Sequence, residues 1–236
     1  ATVVPMGADT ELDLLLSRTA PLGVLSESTM IAAILMLLLS PLLAGATLAA
    51  IRSRTRPGFG DLLRGALSEY GPLLRMLLWS AIPLGLALMV MSVIIGANES
   101  AHEHAIEASA VTTGRNIAFV VGGVLFVLAH ASLEAGRGWL ATDGRLRSAL
   151  KAWWRGLKLL CRRPVAVLLA WLVTSLLGLA LALLFAWLRQ FAGGAGVGGF
   201  LLALLLGCGI AAGLACGRIA RIDAMSALAA DQHARR

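Results

Sequence analysis

The side chains able to carry chemistry are few and scattered. His130 and Glu134 stand four residues apart, so on a helix they share one face. An ionisable pair at the edge of an apolar run is a candidate for proton transfer or ligand contact. Its plainer role is an interfacial pair that orients the helix. His102-Glu103-His104, flanked by Glu99 and Glu107, has the side chains for a metal or proton site, or for a solvated acidic loop. Cys161, Cys208 and Cys216 show no CxxC or other ligand spacing and read as reduced, structural thiols. Hydrolysis or group transfer needs such side chains clustered in one place. The sequence therefore predicts no catalytic residue, no cofactor, no metal centre and no enzymatic activity.

The elements that would position these side chains are apolar. Of 236 residues, 58% are hydrophobic and 14% charged, against about 25% charged in a soluble domain. The apolar residues collect in five runs, over 31–51, 73–95, 117–133, 165–188 and 200–216. A bilayer core of about 30 Å needs about 20 helical residues. The sequence thus predicts an all-α, polytopic transmembrane bundle with five spans. Residues 1–28 precede the bundle, 29–217 form it, and 218–236 make a basic tail, read as a short surface helix. Pro41 and Pro83 lie inside spans and predict kinks. Residues 98–114 form the acidic outer loop, and the glycine-rich stretch 193–199 reads as an outer turn.

The net charge of +7 does not point to nucleic acid, because of where the charges fall. If the first run passes from outside to inside, seventeen of the twenty basic residues face the cytoplasm, leaving Arg18, Arg115 and Arg189 outside. That is the positive-inside pattern. It places the C-terminus in the cytoplasm and the start of the chain outside, in a bacterial inner membrane. An upstream span or a cleaved signal peptide would account for an external start. An upstream span is favoured, because six spans with both ends inside suit the repeat described next.

Residues 143–162 form the most distinctive stretch. Leu146, Leu150, Trp153, Leu157 and Leu160 recur at helical spacing, with Arg147, Lys151, Arg155, Lys158 and Arg162 mostly on the other side. Such a helix, feeding a hydrophobic run at Pro164, is expected at a membrane surface. It has a counterpart 83 residues earlier, where Leu63, Leu67, Tyr70, Leu74 and Leu77 align with the same five positions. The repeated unit is span, basic turn, amphipathic surface helix (near 61–71 and 143–162), span. The second copy is the more cationic and carries Trp153 and Trp154. Arg147, Lys151, Trp153, Trp154, Arg155 and Lys158 are therefore the candidate contacts for anionic lipid or a partner. Gly209, Gly213 and Gly217 form a small-residue ridge for close helix packing.

Ser40-Pro41-Leu-Leu-Ala-Gly45, then Arg54 and Gly58-Phe59-Gly60-Asp61-Leu62-Leu63 followed by a span, resembles families of bacterial six-helix inner-membrane proteins. These include the membrane domain attached to some glycerophosphodiester phosphodiesterases. The resemblance covers residues 30–190 and implies paired spans linked by an amphipathic cytoplasmic segment. With no soluble phosphodiesterase domain and no acidic metal cluster here, that activity and its residues do not carry over. The expected role is a non-enzymatic subunit or scaffold of a membrane complex. It would contact membrane lipids, other membrane subunits or a second copy of itself, and a cytoplasmic partner. The competing expectation is a transporter or ABC-type permease subunit for a lipid-like or apolar cargo.

Overall fold

The computed structural model describes residues 22–53, 56–102, 108–192 and 196–234. These form six α-helices and no strand: α1 Leu22–Arg52, α2 Phe59–Ala101, α3 Ala108–Thr142, α4 Ala149–Arg162, α5 Pro164–Gln190 and α6 Val197–Ala234. All but α4 are long and apolar enough to cross a membrane. A helix satisfies its own backbone hydrogen bonds, which is why such runs are helical in lipid.

The helices overrun the apolar runs. At 1.5 Å per residue the 43 residues of α2 reach about 65 Å, twice a bilayer core. The stretch 61–71, expected as a separate surface helix, is instead the beginning of α2, which continues through Pro72 and Pro83. Pro72 cannot donate to the Ser68 carbonyl, and Arg147 Nη1 donates to that oxygen instead at a long 3.4 Å. Its counterpart α4 does stand as a separate helix. Ser148 caps its start, accepting from the Lys151 amide. Its end is set by Arg163, which precedes Pro164 and adopts φ −138°, ψ 60°, outside the helical region. The tail is also not a separate helix, because α6 runs on to Ala234. Gly196 turns into α6 with φ +123°, a conformation that favours glycine.

Among the described residues the contacts divide the chain into two units, one comprising 22–40 with those of Leu172–Arg221, the other those of Pro41–Trp171 with 222–234. In the first, α5 and α6 approach along glycines. In the second, a buried core joins the end of α1, the first half of α2, the last third of α3, α4 and the end of α6. Leu48, Met76, Leu133, Trp139, Leu159, Ile222 and Met225 are wholly buried there. This core draws mainly on helix ends beside the apolar runs. Within the most apolar stretches of the spans, only 6% to 28% of residues are buried by the chain itself.

Candidate functional site

The sequence divides α4 into three faces. Ala149, Ala152, Gly156 and Leu159 are buried. The first three are small and let α4 lie close on α3: a Cβ placed on Gly156 would meet the Gly136 Cα at 2.9 Å, and the Gly136 nitrogen and Ser132 carbonyl more closely still. Trp153 Nε1 donates to Ser132 Oγ at 3.1 Å across the same contact. The expected apolar face is divided. Leu146 and Leu160 are buried, Trp153 and Leu157 half-buried, and Leu150 is 50% exposed. The closest approach is made at the small residues, because glycine and alanine permit it, with Leu159 and Leu160 buried beside them.

The candidate cations also separate by role. Arg155 donates to Asp143 Oδ2 at 2.9 Å and lies 5.4 Å from the centre of the Trp139 ring. That hydrogen bond holds the Asp143 carboxyl below the usual carboxylate range; burial opposes it, while the Arg145 amide and the Arg155 and His233 charges reinforce it. Arg155 thus ties α4 to the end of α3. Arg147 reaches the Ser68 carbonyl on α2. Lys151 and Lys158 are exposed, with Lys158 Nζ 5.6 Å from the Trp154 ring centre. Together with Trp79, Trp153 and Trp154 they line an open cavity of about 790 Å³. Trp79 and Trp153 meet edge to face at 5.6 Å. Trp153 also lines a second, almost wholly apolar cavity of about 500 Å³, walled by Pro83, Leu86 and Val90 of α2 and Leu125 and Leu128 of α3.

His130 and Glu134 do share a face, and two residues from outside the expected pair join them. Arg137 Nη1 donates to Glu134 Oε1 at 2.6 Å, with Glu134 fully buried. Trp171 Nε1 of α5 donates to His130 Nδ1 at 2.9 Å. That bond places the ring proton on Nε2, the nitrogen 3.9 Å from Glu134 Oε1. The group fastens α3 to the start of α5. The Glu134-x-x-Arg137 spacing was visible in the sequence as an i, i+3 pair; the tryptophan, 41 residues away, was not.

Gly209, Gly213 and Gly217 find their partner within the chain. Added Cβ atoms would meet Phe185, the backbone near Leu181 and Ala182, and Gly178 respectively, all on α5. On α6, Arg218 donates to Ser40 Oγ at 2.8 Å and Arg221 to Ser175 Oγ at 2.7 Å. Of the His102-Glu103-His104 stretch, His102 ends α2 and its Nδ1 is 2.9 Å from the Asn98 carbonyl; Glu103 and His104 lie outside the described residues. Among the described residues no group of three or more His, Cys, Asp or Glu side chains is placed to hold a metal ion, and the three cysteines are free thiols.

The most consequential residue that the sequence reasoning passed over is Arg52. It binds Glu69 Oε1 at 2.7 Å, donates to the Ala141 carbonyl at 3.0 Å and also donates to the Leu140 carbonyl. One guanidinium therefore satisfies the open end of α3 while neutralising an acid on α2. Its only sequence signal was its place at the end of a span. The fold defines a multi-pass helical membrane protein. No family model, curated protein or solved structure matches the chain.

Proposed function

We propose that this chain is a non-enzymatic subunit or scaffold of a membrane complex in the bacterial inner membrane, with its C-terminus in the cytoplasm. The observation that carries this reading is the use made of the ionic side chains. Arg52 with Glu69, Arg137 with Glu134, Arg155 with Asp143 and Arg163 with Asp231 all join one helix to another or brace a helix from within. Ion pairs committed to holding helices in place support a structural role. Meanwhile the apolar stretches of the spans bury little against their own chain, which leaves long faces for lipid and for other subunits or a second copy. The basic distribution supports the orientation.

Extraction into polymer-bounded native nanodiscs, followed by measurement of particle mass, tests the reading. The expected particle holds more than one protein chain. A single chain with no partner overturns it. The second reading, a transporter or permease subunit for an apolar cargo, draws on the apolar cavity beside Trp153. Accelerated movement of a fluorescent lipid between leaflets of reconstituted vesicles would favour that alternative.

A further inference from the structure

We propose that the seam between α2 and α4 is a binding site for one anionic phospholipid, with its phosphate at Lys151 and Lys158 and an acyl chain in the apolar cavity beyond Trp153. The proposal rests on the membrane reading above but not on the presence of partner subunits.

Three observations converge on this occupant. The first is charge. The cavity containing Lys151 and Lys158 has no acidic side chain in its lining, and neither has the adjoining cavity of about 710 Å³ that holds Arg75 and Arg147. Asp143 is paired with Arg155, and Glu69 on α2 is paired with Arg52. Lys151 and Lys158 are seven residues apart on α4, two helical turns, and so project on one side. The second is continuity. Trp153 lines both the cationic cavity and the apolar one, so the candidate headgroup site and an acyl-sized groove adjoin at one indole. A soluble anion would have no use for that groove, and an apolar cargo no use for the lysines. The third is the aromatic set. Trp79, Trp153 and Trp154 meet at this junction, and indoles favour the headgroup level, where one end is apolar and the other wet.

The helix is arranged to keep this face open. Its small-residue side is committed to α3, and Arg155 is committed to Asp143 and Trp139. Lys151 and Lys158 are left exposed.

The full chain, purified in mild detergent, is titrated with phosphatidylglycerol and separately with phosphatidylcholine, and the bound lipid is read by native mass spectrometry. One retained phosphatidylglycerol per chain is expected, with phosphatidylcholine held markedly less well. Each basic residue beside an anionic lipid contributes roughly fivefold, so Lys151→Gln with Lys158→Gln should weaken phosphatidylglycerol about 25-fold. Lys151→Arg with Lys158→Arg should retain it. Leu86→Trp, which fills the groove without touching charge, should weaken both lipids. Equal retention of the two lipids by the unaltered chain, or undiminished phosphatidylglycerol on the double glutamine variant, would overturn the proposal. The readout is per chain, so a monomeric particle would refute the complex while leaving the lipid site standing.

Discussion

Replacing Gly156 by alanine is the sharpest test of how α4 is held. The added Cβ would stand 2.9 Å from the Gly136 Cα, with two further backbone atoms nearer still. Ordinary contact begins near 3.4 Å, so clearing the Cα alone needs about 0.5 Å, and the two nearer atoms require the helices to part further. The obstructing atoms are backbone on both sides, and no rotamer change relieves them. Overpacking of this kind costs about 1–3 kcal/mol, with rigid neighbours at the upper end. Against it stands a gain of about 1 kcal/mol from exchanging glycine for alanine within a helix. The net is a loss of about 2 kcal/mol, or about 4–8 °C in melting temperature for a chain of this size. The assay is thermal unfolding in detergent followed by circular dichroism. Gly123→Ala, on α3 where nothing lies within 4 Å, supplies the contrast and should gain a few tenths to 1 kcal/mol. A Gly156→Ala protein melting at or above the unaltered chain would refute the close docking of α4 on α3.

Arg52→Gln should cost about 3 kcal/mol, because it strips the cap from the end of α3 and leaves the buried Glu69 without its counter-charge. Glu69→Gln, which leaves no uncompensated carboxylate, should cost less, and equal melting temperatures for the two would count against that account. Asp143 has a depressed folded-state pKa, so its contribution is present above the ordinary carboxylate value and disappears as pH falls through the lower folded one. Thermal melts between pH 6 and 3 should accordingly show a steeper acid loss for the unaltered chain than for Asp143→Asn. Gly217→Leu, with the Gly178 Cα 2.7 Å from a Cβ at that position, should force α5 from α6 and lower the melting temperature by several degrees. Reporter fusions at Ser100 and at the C-terminus should be active outside and inside respectively; an external C-terminus would reverse the proposed orientation.

Composition and spacing were enough to identify the helical spans. Runs of about twenty apolar residues leave a chain no other way to satisfy its backbone in lipid, so five helices long enough to cross a membrane followed from the sequence. The separate α4 was legible in its periodicity and in Pro164 at its end; its start, capped by Ser148 and later than the expected 143, was not. Nor was the face by which α4 docks. Hydrophobic periodicity marks leucines, while close packing chose Ala149, Ala152 and Gly156, whose smallness carries no hydropathic signal. The first surface helix merged into α2, and the Ser68 carbonyl, to which Pro72 cannot donate, accepts instead from Arg147, 79 residues away. The His130–Glu134 pair was legible as one face of a helix, but the roles of Arg52, Asp143 and Trp171 were not. Those roles depend on helix ends meeting across 12 to 89 residues of chain. Local spacing reaches along one helix; only the tertiary fold decides which distant carbonyl, carboxylate or ring a guanidinium or indole will find.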